Sequence, residues 1–196
     1  MAQSDITVIG GGVVGLSVAL GLLRAGCAVT VLDGADGDFR ASQGNFGLVW
    51  LQGKGADFAP YARWTAQAVA AWPEFARSLQ QVSGVDVALS QTGGYEFFTD
   101  ADELADFTAS LARQQAHLGR QTHEILSGEA LRKRLPGIGA GVVGASFCAS
   151  DGHVNPLRFL RSLRLAVTTL GGQIVTDAQV TAIAPAPGGG FALSMP

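Results

Sequence analysis

The apolar positions at the start of the chain change period within thirty-three residues. Ile6-Thr7-Val8-Ile9 is a short β-branched run, the pattern of a strand buried on both faces. Residues 13–24 are small or apolar nearly all round, which predicts a buried helix. Gly26 stands where a helix-ending glycine belongs. Ala28-Val29-Thr30-Val31-Leu32 then predicts a second buried strand, ending at Asp33. Farther on, Tyr61, Trp64, Ala68 and Trp72 recur at helical spacing and predict a helix over 59–81, broken or restarted at Pro73. Residues 85–88 and 95–99 read as strands. Thr99 or Asp100 can cap the next helix, with Asp102 and Glu103 suiting its dipole and Gly119 closing it. Residues 122–126 read as a strand. Ser127 caps a short helix ending in Arg132-Lys133-Arg134, which Pro136 stops. Residues 142–147 read as another strand, and Asn155-Pro156 opens a helix to Leu170 carrying Arg158, Arg161 and Arg164 on one face. Strand-like residues 180–183 and 191–194 flank Pro187-Gly188-Gly189-Gly190 as a hairpin.

The strand–helix–strand opening is a βαβ unit, and its turn carries Gly10-Gly11-Gly12-Val13-Val14-Gly15. Gly10, Gly12 and Gly15 satisfy G-x-G-x-x-G where strand meets helix. Such glycines permit a tight turn, close approach of a diphosphate to bare backbone, and packing of helix on strand. The phosphates then meet free N–H groups at the positive end of the helix dipole. Asp33, eighteen positions after Gly15, ends the second strand, where a carboxylate accepts from the adenosine ribose hydroxyls. An acid there disfavours a 2′-phosphate, so the pattern points away from NADP. A glycine set serving packing alone is the plainer reading. Three consecutive glycines would be a costly way to achieve it.

A nicotinamide domain would follow Asp33 closely with another βα unit. Residues 34–57 instead form a long polar, glycine-rich segment with donors at Arg40, Ser42, Gln43 and Asn45. Loops of this length inside a compact domain are usually functional. The ordered set Gly10-Gly11-Gly12-Val13-Val14-Gly15, Asp33 and Ser42-x-x-Asn45-x-Gly47 resembles the flavoprotein family of D-amino-acid oxidase, glycine oxidase, D-amino-acid dehydrogenase and sarcosine oxidase. Gly93-Gly94-Tyr95, Asp151-Gly152-His153-Val154-Asn155-Pro156 and Gly171-Gly172-Gln173-Ile174 agree with it. Asn45-Phe46-Gly47-Leu48-Val49-Trp50 resembles the branch that contains opine-oxidase and cyanide-forming glycine-oxidising subunits. The resemblance implies FAD as cofactor. Val13 and Val14 would line the pyrophosphate turn, and Asp33 and Gly34 would face adenosine. Arg40, Ala41 and Ser42 would hold phosphate and ribityl oxygens. Asn45, Phe46 and Gly47 would approach the isoalloxazine ring, and Val180 would offer backbone groups to adenine. Asp33 departs from the family's commoner Glu. Family members run to nearly twice this length, so the resemblance also predicts a chain truncated at its C-terminus.

Composition narrows the partners. The net charge of −3 carries no basic footprint for nucleic acid. With 47% hydrophobic and 15% charged residues, disorder is not the main state. Cys27 and Cys148 lie outside any CxxC pattern and fit a reducing compartment. No segment approaches the ~20 apolar residues of a spanning helix. His117, His123 and His153 have no metal-ligand spacing, and no metal is expected. Gln52 and Lys54, just after the loop motif, are the candidate catalytic residues.

The expected architecture is therefore α/β: a Rossmann-type FAD-binding domain formed by 1–84 and 149–196, incomplete, with an inserted α+β portion of a substrate domain at 85–148. The expected activity is FAD-dependent oxidation of the C–N bond of an amino or imino acid, with hydride passing to the flavin. The alternative is a non-catalytic dinucleotide-binding subunit completed by another chain. Expected partners are the small-molecule substrate and a second subunit or electron acceptor. The expected location is the cytoplasm, either free or on the inner face of the membrane.

Overall fold

The structure is a computed structural model and describes residues 6–34 and 40–196; part of the long segment after Asp33 lies outside the described residues. In chain order the elements are β1 (Ile6–Ile9), α1 (Val13–Arg24), β2 (Val29–Leu32), β3 (Leu48–Val49), α2 (Ala59–Ser83), β4 (Gly94–Phe98) and α3 (Ala101–Leu118). There follow β5 (Glu124–Ser127), α4 (Gly128–Arg134), β6 (Gly144–Cys148), β7 (Gly152–His153), α5 (Pro156–Thr169), β8 (Gln173–Val175), β9 (Ala182–Pro185) and β10 (Phe191–Ser194). They divide into two compact units.

The first unit takes in Met1–Phe46, Ala76–Ala88 and Asn155–Pro196. Its sheet is parallel, in the order β1-β2-β8, with Ile6 opposite Val29 and Val31 opposite Ile174. Parallel neighbours require crossovers, and α1 supplies the one between β1 and β2. Leu16, Ala19 and Leu20 of α1 are buried, as are Leu163, Ala166 and Val167 of α5, and the two helices pack together. Asn155 caps α5 by accepting the Arg158 N–H at 3.0 Å, with Pro156 at the first helical position where no amide partner is lost. The hairpin forms as expected, β9 antiparallel to β10 with Ala182 opposite Ser194. Its turn passes through Gly188, Gly189 and Gly190, all at positive φ.

The second unit comprises Gly47–Phe75 and Leu89–Val154. Its three-stranded sheet is antiparallel, in the order β4-β6-β5. Leu126, Leu131 and Ala145 form a buried cluster against which Tyr95, Ile138 and Phe147 pack. Asp100 caps α3 by accepting from the Asp102 and Glu103 amides, and Gly119 ends it at φ 66.

Three expectations are corrected. α2 runs unbroken through Pro73. The carbonyl that loses its helical donor to the proline is that of Val69, and Gln91 Nε2 donates to it instead at 3.2 Å. Residues 85–88 are not a strand: Ser83 Oγ takes the Val85 N–H, Asp86 Oδ1 takes the Ala88 N–H, and Ala88 stands at φ 54. Side chains there claim donors that a ladder would need. Val180 lies beyond β8, in irregular chain, rather than in a strand. Within the second unit β3 pairs antiparallel with β7, Leu48 opposite His153, an element the sequence reading did not contain. Two-residue strands carry no periodicity to read.

Candidate functional site

The turn between β1 and α1 leaves no room for a side chain at Gly11, Gly12 or Gly15, and its backbone conformation excludes one at Gly10. Gly10 sits at φ +105, a conformation L side chains rarely adopt, and its N–H donates to Leu32 O at 2.8 Å. A Cβ on Gly11 would lie 2.5 Å from the Asp33 carboxyl, and one on Gly12 would lie 2.9 Å from Ser42 Oγ. A Cβ on Gly15 would overlap the Gly10 carbonyl outright. Gly12 is the N-cap of α1 and offers no side-chain cap. Ser42 Oγ supplies an acceptor from outside, taking the Val13 N–H at 3.0 Å.

Asp33 is buried and fixed by three donors. Its Oδ1 accepts from Gly11 N–H at 2.9 Å and from Arg40 Nη1 at 2.5 Å. Its Oδ2 accepts from Arg164 Nη1 at 3.2 Å. Arg40 also donates through Nη2 to Gly34 O at 2.5 Å, and Arg164 lies 3.4 Å from Gly11 O. Burial pushes the Asp33 carboxyl up. The hydrogen bonds from Arg40, Gly11 and Arg164 outweigh it and hold the group below its ordinary 3.8. The acid is therefore ionised at neutral pH.

These groups line a cleft of about 300 Å³ formed by Gly11, Gly12, Asp33, Gly34, Arg40 and Ser42 together with Arg164 and Asp177. A second, more apolar hollow of about 440 Å³ adjoins the turn at Ile9, Gly10, Val14 and Val18. Side-chain-free glycine backbone at a helix N-terminus, beside an ionised acid, fits a dinucleotide: close approach and the positive end of the helix dipole for the diphosphate, and a carboxylate for a ribose hydroxyl. Arg164 lies on the predicted face of α5, but nothing in its local pattern points at Asp33.

The remaining predicted residues fall as follows. Val13 opens α1, and Val14 beside it is 75% exposed. Ala41 O accepts from Asn45 Nδ2 at 2.9 Å within the turn that holds Arg40 and Ser42. Phe46 is exposed. Gly47, at φ 65, belongs to the second unit, where its carbonyl accepts the Val154 N–H. The chain from β8 passes beside the acid, Asp33 N–H donating to Val175 O and Ala178 N–H to Asp33 O, and Val180 follows it.

Gln52 lies in the second unit and is buried, with both ends of its amide engaged. Nε2 donates to Asp151 Oδ2 at 2.9 Å and to Gly94 O at 3.2 Å, and Oε1 accepts from Ser146 Oγ. These bonds give Gln52 a structural task that leaves its donors committed. Lys54 is exposed, and its carbonyl accepts from the buried Gln114 amide.

Residues 5–194 match the family described as FAD dependent oxidoreductase (DAO). The chain is 40% identical over 189 residues to the B subunit of opine oxidase from Rhizobium meliloti, covering 94% of this chain and 50% of that one. It is 41% identical over 191 residues to the corresponding opine oxidase chain of Agrobacterium tumefaciens (strain Ach5), covering 96% and 52%. The crystal structure of glycine oxidase from Bacillus cereus ATCC 14579 superposes with a TM-score of 0.79 at 26% identity, over 93% of this chain and 48% of that one. The chain thus spans about half the length of the curated relatives it matches.

Proposed function

This chain belongs to the DAO family of FAD-dependent oxidoreductases, and from that premise we propose that its first unit binds the adenosine diphosphate end of FAD. The observation that carries the reading is one cleft holding both the bare Gly11–Gly12 backbone and the ionised Asp33. Gly10, Gly12, Val13, Val14 and Gly15 form the phosphate turn, with Ser42 and Arg40 at its mouth. Gly34 and Val180 flank the adenosine, and Ala41, Asn45, Phe46 and Gly47 lead toward the flavin ring.

The reaction proposed for the whole protein is oxidation of the C–N bond of an amino or imino acid. Relatives named as opine oxidase and glycine oxidase chains support that substrate class. When bound, FAD supplies a two-electron acceptor for the hydride of the substrate C–H. This chain's task is to hold the cofactor still, so that the substrate meets it in a fixed geometry. The opine oxidase relatives are named as subunits, which also supports action together with a partner chain. Among the described residues, no helix is long and apolar enough to cross a membrane.

The test is a titration of the purified chain with FAD, followed by flavin fluorescence and melting temperature. A saturable fluorescence change with a rise in melting temperature is expected, since a ligand specific for the native state stabilises it. No response to FAD, with a response to NADH instead, would overturn the reading. If FAD binds and no amino acid bleaches its absorbance, the chain is a dinucleotide-binding subunit that needs its partner for catalysis.

A further inference from the structure

Arg164 reaches the cleft from α5, 131 positions from Asp33 along the chain. Its guanidinium donates to Oδ2 of the acid, whereas Arg40 donates to Oδ1. A carboxylate offers about four acceptor positions, two on each oxygen. On Asp33, Oδ1 already takes two donors, Gly11 N–H and Arg40. Oδ2 takes one, from Arg164. A single acceptor position is left, on Oδ2, and an adenosine ribose has two vicinal hydroxyls.

We propose that Arg164 is a cofactor-positioning residue: by occupying one side of Oδ2 it leaves Asp33 one oriented acceptor, so that the site recognises one ribose hydroxyl of an adenosine nucleotide and is indifferent to the other. The residue acts through Asp33 and not on the diphosphate. Among the described residues, the charged side chains lining this cleft are Arg40 and Arg164 against Asp33 and Asp177, which balance. These side chains leave no surplus positive charge for the phosphates; with Gly10 N–H on Leu32 O and Gly11 N–H on Asp33, the Gly12 amide is the one of the three that faces them. Arg164 is also held to the turn itself, through Gly11 O, so its position and that of the phosphate turn are set together.

The inference rests on the proposed nucleotide site, and its test separates the two. Three probes are titrated calorimetrically into the wild-type chain: ADP, 2′-deoxy-ADP and 3′-deoxy-ADP. One deoxy analogue is expected to bind about tenfold more weakly than ADP and the other like ADP, as loss of one hydrogen bond to a charged acceptor implies. In Arg164→Met the difference between the two analogues shrinks to less than about threefold, and Arg164→Lys restores part of it. On an Asp33→Asn background, Arg164→Met changes neither analogue further. A wild type that binds none of the three probes refutes the nucleotide site, and this inference with it. A wild type that binds ADP but loses equally with both analogues refutes this inference alone. So does an Arg164→Met variant that keeps the discrimination. Should Arg164→Met fail to fold, Arg164→Gln serves in its place, and the wild-type comparison stands without any variant.

Discussion

Replacing Asp151 by asparagine probes the buried network that holds the chain after β3. Asp151 is fully buried; Oδ1 accepts the Leu51 N–H at 2.6 Å and Oδ2 accepts from Gln52 Nε2 at 2.9 Å. Gln52 cannot turn its amide over to suit a new neighbour. Ser146 Oγ donates to its Oε1, and its Nε2 also serves Gly94 O. The new side chain has one carbonyl oxygen for two donors, so one buried N–H is left facing another. That costs about 1–3 kcal/mol. Relief from burying a carboxylate offsets part of it, and a net loss of about 1–2 kcal/mol is expected. For a chain of this size the melting temperature should fall by about 3–6 °C. The loss should also depend on pH. Burial raises the Asp151 carboxyl above its ordinary 3.8, against the lowering bonds from Leu51 and Gln52. The native state therefore holds that proton more tightly than the unfolded chain. The stability this contributes is complete below about pH 3.8 and is lost as pH rises through the raised value. Asp151→Asn lacks that loss, so its deficit narrows as pH rises. Urea unfolding followed by far-UV circular dichroism, across a series from about pH 4 to 8, measures the deficit directly. A variant as stable as the wild type throughout, or a deficit that widens with pH, would refute the network as described.

Two further outcomes are expected. Gly11→Ala drives a Cβ into the Asp33 carboxyl, so FAD affinity measured by fluorescence titration should drop about tenfold or more, while unfolding stability falls by about 1–3 kcal/mol. Gln91→Ala should cost about 1 kcal/mol in urea unfolding because Val69 O loses its donor, and less than half that when Pro73→Ala has restored a helical N–H; equal costs in the two backgrounds would contradict the arrangement.

Much of the first unit was legible because its signals are local. Strand β1, helix α1 and strand β2 each announce themselves by period, and the glycines between them by what bare backbone permits. Asp100, Ser127 and Asn155 were readable as caps because a cap depends on amides two or three positions away. The same locality misled at Pro73 and at 85–88. In each place a distant or side-chain partner satisfied backbone groups that the neighbouring sequence seemed to leave unpaired.

The sequence by itself determined a glycine turn at a helix N-terminus with an acid at the end of the next strand. Tertiary structure alone decided what surrounds that acid and what the loop residues do. Arg164 meets Asp33 across 131 positions, and Gln52 meets Asp151 across 99. The reason is physical: periodicity and capping act within a turn or a strand. A buried carboxylate takes whichever donors the packed fold brings within about 3 Å, at whatever distance they stand along the chain.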